Sequence, residues 1–94
     1  MKKIVSVTVL DHYRLRLRFN DGVEGEVDFS KQPRTGVYAP WRDYGWFRRA
    51  HVGEYGELRW DDQLDFSPDA LWLQVTGKRP EDLAADPNPA LAHA

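Results

Sequence analysis

Arginines and aromatic residues interleave between positions 34 and 49, and this spacing is the clearest chemical signal in the chain. The segment contains Arg34, Tyr38, Trp41, Arg42, Tyr44, Trp46, Phe47, Arg48 and Arg49. Interleaved aromatic and basic side chains are typical of surfaces that anchor a protein partner or stack the bases of single-stranded nucleic acid. The same pattern arises when the rings are core residues and the arginines are solvated. We favour this second interpretation for Trp41 and Phe47.

The remaining residues of this pattern form a candidate interaction surface. They are Arg34, Arg42, Tyr44, Trp46, Arg48 and Arg49. Asp43 is the only acid between residues 31 and 50, so these arginines lack carboxylate partners nearby in the sequence. Because one short helix cannot bury every ring, we expect at least one of Tyr44 and Trp46 to be largely exposed beside an arginine.

Histidines and acids offer weaker candidates for chemistry. His12 falls in a predicted turn and His51 follows an arginine pair, with no spacing that predicts a zinc site. Asp61, Asp62 and Asp65 could offer oxygen ligands to a hard cation, but calcium loops need more ligands and a glycine at the bend. No spacing pairs two carboxylates for acid–base hydrolysis. We therefore predict no catalytic, cofactor-binding or metal-binding residues.

The elements that position these residues are clearest in the segment from residue 13 to residue 29. Apolar residues alternate with arginines before Asn20 and with acids after Gly22, which is the period of strands with one solvated face. The three residues from Asn20 to Gly22 suit a hairpin loop. The resulting register pairs Leu15 with Val27, Leu17 with Gly25, Arg14 with Asp28, Arg16 with Glu26 and Arg18 with Glu24. It would bury one face and neutralise the charges on the other.

Residues 3–10 predict a strand that extends this hairpin to a three-stranded meander. Valines at every second position share one face of that strand. The expected pairs are Val9 with Tyr13, Val7 with Leu15 and Val5 with Leu17. In this register Ile4 and Leu10 would lie on the polar side.

A second hairpin and two short helices complete the predicted α+β fold. The expected hairpin pairs are Trp60 with Leu64 and Leu58 with Phe66. Val52 lies either in the first strand of this hairpin or in a separate short one. One helix is expected over residues 41–49, where Gly45 weakens it, and another runs from the capping residue Ser67 to Gly77. The fold class is thus a small antiparallel sheet, a three-strand meander plus a second hairpin, covered by two short helices.

Length and composition predict one small domain. The chain has 94 residues, no cysteine and a net charge of −2, so it has no general attraction to nucleic acid or anionic membranes. We expect residues 1–79 to form the domain and residues 80–94, with three prolines, to form a flexible tail. Ser6 and Thr8 interrupt the N-terminal apolar stretch too early for a signal peptide. We therefore expect a cytoplasmic protein without membrane association.

Three segments together carry a resemblance to a known family. They are YRLRLRFNDGVEGEVDFS, GVYAPWRDYGWFRRAHV and GELRWDDQLDFSPDALW, in this order. The chain resembles the bacterial "domain of unknown function 2442" family. The resemblance implies a small α+β domain, often free-standing and sometimes fused to a helix-turn-helix DNA-binding domain. It also implies genes that can lie beside another small gene, in pairs resembling toxin–antitoxin modules, and it supplies no catalytic residues.

These observations favour a non-enzymatic domain whose partner is another protein. The resemblance adds the hypothesis that it is the antitoxin-like or regulatory member of a two-gene module, with its partner encoded by the adjacent gene. One alternative is a nucleic-acid-binding module that uses the basic and aromatic residues between 34 and 49. A second alternative is a small hydrolase. No cofactor is predicted, and a homodimer is compatible with the sequence.

Overall fold

The computed structural model describes residues 2–84, which fold into two three-stranded antiparallel sheets with short helices. The strands are β1 (Ile4–Val9), β2 (Arg14–Phe19), β3 (Glu24–Asp28), β4 (His51–Val52), β5 (Leu58–Trp60) and β6 (Leu64–Phe66). The helices are a 3₁₀ helix (Gly36–Arg42), α1 (Tyr44–Phe47), α2 (Pro68–Thr76) and α3 (Glu81–Ala84). The strand orders are β1-β2-β3 and β4-β5-β6. The predicted α+β class is confirmed, with the second hairpin forming its own sheet.

Most of the expected flexible tail, residues 80–94, lies outside the described residues. The part that is described contains the single turn of α3. No helix within residues 2–84 is long and apolar enough to cross a membrane.

The β2–β3 hairpin has the predicted register, with Leu15 opposite Val27 and Arg16 opposite Glu26. Its ion pairs, however, run diagonally. Arg14 Nη1 lies 3.2 Å from Glu26 Oε1, and Arg16 Nη2 lies 3.5 Å from Glu24 Oε1. Diagonal neighbours on a twisted sheet are within reach of a side chain as long as arginine. The predicted charge partners were therefore wrong by one pair along the strand, although the backbone register was right.

The predicted β1–β2 pairing was wrong by two residues. Val9 lies opposite Leu15 and Val7 opposite Leu17, because the chain reverses in a tight turn that takes Tyr13 out of the strand. The register then shifts at a bulge between Ile4 and Ser6. The bulge gives β1 one residue more than β2 at this point, so Ile4 lies opposite Phe19 in the core. Ile4 is 2% exposed and Val5 is 53% exposed. These two side chains therefore lie on the faces opposite to those predicted.

The second sheet confirms the predicted hairpin and resolves the position of Val52. Trp60 pairs with Leu64 and Leu58 with Phe66. Val52 belongs to a separate strand, β4, and lies opposite Leu58 across the turn at Gly53–Gly56. An added contact joins the two sheets, since the Ile4 amide donates to the Gly56 carbonyl at 2.9 Å.

The helices follow the prediction in part. The segment 41–49 is divided at Asp43, whose extended backbone (φ −92°, ψ 109°) separates the 3₁₀ helix from α1, and the Asp43 carboxylate accepts from the Gly45 amide at 2.9 Å. Helix α2 ends as predicted at Gly77, which has a left-handed φ of 69°. Ser67 occupies the N-cap position, but it is exposed and its hydroxyl makes no capping hydrogen bond. That capping prediction was wrong.

Aromatic rings supply the centre of the core. Trp41, Phe47 and Trp60 are each 0% exposed. The Trp41 ring centroid lies 5.1 Å from that of Phe47 and 5.0 Å from that of Trp60. The Trp60 indole N–H donates to the Phe47 carbonyl at 2.7 Å, so a buried hydrogen bond fastens α1 to the second sheet. The prediction that Trp41 and Phe47 are core residues is confirmed.

Candidate interaction pocket

Three of the six predicted surface residues meet at one concave site. Arg34, Tyr44 and Arg48 line a pocket of about 530 Å³ between the β1–β2 turn, the segment after β3 and helix α1. Its other lining residues are Asp11, His12, Tyr13 and Ser30. We call this site the arginine pocket.

The floor of the arginine pocket is a strained turn. His12 and Tyr13 have φ values of 59° and 60°, in the left-handed region that residues with side chains seldom adopt. The Tyr13 hydroxyl donates to the Trp41 carbonyl at 2.7 Å, and the Tyr13 amide donates to the Tyr44 hydroxyl at 3.3 Å. Such a conformation costs about 1–3 kcal/mol and persists only where its surroundings impose it. Here the contacts of Tyr13 with α1 and the 3₁₀ helix impose it.

Two arginine guanidinium groups lie against the tyrosine rings of the pocket. The Arg34 guanidinium carbon lies 3.8 Å from the Tyr13 ring centroid, and that of Arg48 lies 5.6 Å from the Tyr44 ring centroid. Arg34 Nη2 also donates to the Ser30 carbonyl at 3.4 Å, while its buried Nε has no hydrogen-bond partner among residues 2–84. Stacking on a ring orients a guanidinium and leaves its in-plane N–H donors free for an anion.

Neither of these arginines forms an ion pair within the described part of the chain. Asp11 contributes one carboxylate to the pocket lining, so the two guanidinium groups outnumber the acid. The pocket therefore presents net positive charge on aromatic walls. This combination fits an anionic group, because arginine donors match carboxylate and phosphate oxygens.

Contacts of both its hydroxyl and its ring hold the Tyr44 side chain in place. Its hydroxyl accepts from the Tyr13 amide and donates to the Leu10 carbonyl, and its ring packs 5.3 Å from that of Phe47. Tyr44 and Trp46 are both half-buried against the core, so the expectation that one of them is largely exposed was wrong. The break at Asp43 turns α1 so that its rings lie on the core.

The other predicted surface residues lie outside the pocket lining. Arg49 forms an ion pair with Asp61, with Nη2 2.7 Å from Oδ2, although its neighbours in sequence offer no acid. The second hairpin supplies that acid across the fold. Arg42 is exposed, and its Nε donates to the Arg34 carbonyl at 2.8 Å, so it supports the backbone of a pocket residue.

The pocket also contains the residue types of a hydrolase triad. Asp11, His12 and Ser30 all line it. No hydrogen bond joins any two of them in residues 2–84, so they do not form the nucleophile–base–acid chain that such catalysis requires. Sequence reasoning missed these residues and Tyr13 as pocket residues, although the turn at Asp11 and His12 was predicted.

Three acids of the second sheet form ion pairs with Arg59, an arginine of the same sheet. Arg59 contacts carboxylate oxygens of Glu57 at 3.3 Å, Asp65 at 3.6 Å and Asp62 at 3.8 Å. Hydrogen bonds from the backbone amides of Glu57 and Tyr55 and from Arg59 hold the pKa of the Glu57 carboxyl below its ordinary value. No group of three or more metal-ligand residues occurs in residues 2–84.

The chain is similar to a known protein family over most of its length. The family described as "Protein of unknown function (DUF2442)" matches residues 4–77. The chain belongs to this family. Every residue of the arginine pocket lies within the matched part of this DUF2442 chain. No curated protein matches it.

A solved structure shares the fold of this DUF2442 chain. It is the crystal structure of the "Putative DNA Binding Protein NE0471" from Nitrosomonas europaea, which is 30% identical and has a TM-score of 0.66. The similarity covers 82% of this chain and 50% of the other. This chain therefore spans half the length of the protein that it resembles.

Proposed function

We propose that this protein is a non-enzymatic interaction domain that binds an acidic segment of another protein in the arginine pocket. One observation carries the proposal: two guanidinium groups, of Arg34 and Arg48, lie on tyrosine rings around a concavity of about 530 Å³ without carboxylate partners in residues 2–84. Pockets with aromatic walls and a few oriented polar donors are typical binding sites. Arginine and tyrosine are also the residues that most often anchor protein interfaces.

The geometry favours a carboxylate-bearing protein over a nucleic acid. The pocket lining offers two cationic groups. Of the arginines near it, Arg49 is neutralised by Asp61, and Arg42 donates its Nε–H to the Arg34 carbonyl. The Tyr13 ring is covered by Arg34 on its face, so it offers no free platform for stacking a base. A compact anionic group, such as a glutamate or aspartate side chain, matches this charge and size better than a row of phosphates does.

Nucleic-acid binding is the second candidate, and the description of the Nitrosomonas europaea protein favours it. Because the similarity covers only half of that protein, its DNA-binding description does not distinguish the shared half from the other. On this hypothesis Arg34, Arg42 and Arg48 would contact phosphates, and binding would weaken steeply as salt rises.

Fluorescence anisotropy with two labelled probes separates these candidates. The probes are a polyglutamate peptide and a DNA duplex of mixed sequence. We expect the peptide to bind, and Arg34→Gln and Arg48→Gln each to weaken its binding about tenfold, as loss of a charge-assisted hydrogen bond predicts. Arg18→Gln is the matched control, because Arg18 is exposed and lies outside the pocket lining.

Two results would count against the acidic-partner proposal. One is binding of the duplex but not the peptide, with the same arginines required, which would favour the nucleic-acid candidate. The other is equal weakening of peptide binding by Arg18→Gln, which would show a general charge effect rather than a site.

The finer role, as the antitoxin-like or regulatory member of a two-gene module, rests on the family resemblance. Co-expression with the product of an adjacent small gene tests it. The wild type and Arg18→Gln should co-purify with that product, whereas the Arg34→Gln/Arg48→Gln double variant should not. Co-purification that is unaffected by the double variant would place the interface outside the arginine pocket.

A further inference from the structure

The outer edge of β1 has unpaired backbone groups. The Leu10 amide donates to the Arg14 carbonyl at 2.8 Å, so after the bulge the even-numbered residues of β1 bond to β2, and Val7 and Val9 turn their backbone groups outward. Within residues 2–84 no hydrogen bond outside the ladder reaches the amides or carbonyls of Val7 and Val9. Within residues 2–84 the outward edge bonds at its beginning, where the Ile4 amide donates to Gly56, and strand β4 packs beside β1.

The side chains of β1 do not protect this edge. The stretch from Ile4 to Leu10 contains no charged residue. Val7 and Val9 are only half-buried, although the residues opposite them on β2 are 0% exposed. Edge strands of soluble proteins are usually guarded by charges, prolines or short length. The bulge near Val5 and the packing of β4 beside β1 guard part of this edge, but the backbone groups of Val7 and Val9 have no hydrogen-bond partner in residues 2–84 outside the ladder.

The opposite edge of the same sheet is guarded. Strand β3 exposes Glu24, Glu26 and Asp28 along its length. Arginines of β2 pair with Glu24 and Glu26, and α2 packs against β3, so an identical strand would meet these carboxylates beside a helix. The sheet therefore has one edge that opposes self-pairing and one that permits it.

We propose that β1 pairs antiparallel with β1 of a second copy of this chain, about a two-fold axis beside Thr8. In this register Thr8 faces Thr8 of the second copy, and Val7 faces Val9. The outward amides and carbonyls of the two valines then exchange hydrogen bonds in both directions. The two paired strands use residues 6–10 of each copy. Ile4 is left out, because its outward amide already bonds to the Gly56 carbonyl.

A second copy fits this edge because the strand is complementary to itself. No like charges face each other, and a threonine pair is favourable on the solvated face of a sheet. The nearest like charges, the two Arg16 side chains, would be three strand spacings apart, about 14 Å, which exceeds the screening length of about 8 Å. The joined six-stranded sheet would end in the acidic β3 strand on both sides.

Sedimentation over a concentration series tests this dimer. Five residues on each side form a small interface, so the average mass should rise with concentration from one chain towards two. Thr8→Lys and Thr8→Glu should each stay monomeric, because like charges then face each other. An equal mixture of these two variants should regain the dimer. The control is Thr35→Lys, which replaces an exposed threonine outside β1 and should dimerise like the wild type.

Three results would overturn the proposal. They are a wild type that stays monomeric at hundreds of micromolar, a dimer that persists in both single variants, and a mixture that does not recover the dimer. The test is independent of the proposed function, because Thr8 lies outside the arginine pocket lining. Arg34→Gln should weaken peptide binding and leave the dimer unchanged.

Discussion

Replacing Asp21 with alanine tests whether one carboxylate in the first hairpin joins three parts of the fold. Asp21 Oδ2 accepts from Lys2 Nζ at 3.1 Å and from the Trp72 indole N–H at 2.9 Å, and Oδ1 accepts from the Val23 amide at 3.0 Å. Lys2 precedes β1 and Trp72 lies in α2. The carboxylate thus connects the N-terminus, the hairpin and a helix that lies 51 positions away.

The structure sets the expected magnitude. Trp72 is 4% exposed, so Asp21→Ala leaves a buried N–H without its acceptor, which costs about 1–3 kcal/mol. The Lys2 side chain is 11% exposed and loses its counter-charge, although it keeps a position 4.3 Å from the Trp72 ring centroid. Together these losses predict a decrease of about 2–4 kcal/mol in the free energy of unfolding.

Urea unfolding followed by tryptophan fluorescence measures this decrease. The matched control is Asp62→Ala, because the Asp62 side chain is fully exposed and its nearest cation, Arg59, lies 3.8 Å away. We expect the control to change the free energy of unfolding by less than about 0.5 kcal/mol. If Asp21→Ala changes it no more than the control does, the carboxylate does not join these elements.

Comparing the wild type with Asp21→Ala also predicts how the stability difference between them changes with pH. Burial raises the pKa of Asp21, but hydrogen bonds from Val23, Lys2 and Trp72 outweigh it and hold the pKa below its ordinary value. The folded state therefore favours the carboxylate, and its stabilisation is complete above the ordinary pKa and lost as pH falls through the lower folded value. The difference between wild type and Asp21→Ala should shrink in acid. A difference that grows in acid would contradict this assignment.

Three further experiments test single features of the fold by urea unfolding. A double-mutant cycle should couple Arg16 to Glu24 by about 0.2–1 kcal/mol and to Glu26 by less, because the ion pair is diagonal; stronger coupling to Glu26 would contradict this geometry. Ser67→Ala should change stability by less than about 0.5 kcal/mol, since the hydroxyl makes no capping bond, and a loss above 1 kcal/mol would show that it caps α2. Gly77→Ala should cost about 1–2 kcal/mol because its φ is 69°, and an unchanged stability would refute the left-handed assignment.

Local patterns predicted the hairpins well. Alternation of apolar and charged residues, together with a short loop at Asn20–Gly22, placed Leu15 opposite Val27, and the same reasoning placed Trp60 opposite Leu64. The end of α2 at Gly77 was also predictable, because a left-handed residue after a helix favours glycine. These features depend on residues that are close together in the sequence.

The arginine pocket was predictable only in part. The basic and aromatic composition indicated Arg34, Tyr44 and Arg48, but not that Tyr13 would be the residue beneath Arg34. The backbone of Tyr13 takes a left-handed conformation that its residue type disfavours, and distant contacts with Trp41 and other rings impose it. No local pattern contains that information.

The sequence by itself determined which residues alternate, where the chain turns and which segments are apolar enough to be buried. Tertiary structure decided the bulge that buries Ile4 and exposes Val5, the neutralisation of Arg49 by Asp61, and the meeting of two arginines at one pocket. The physical reason is the range of the forces involved. Backbone propensity and turn chemistry act over a few residues, whereas burial and charge pairing depend on partners that only the folded chain brings together.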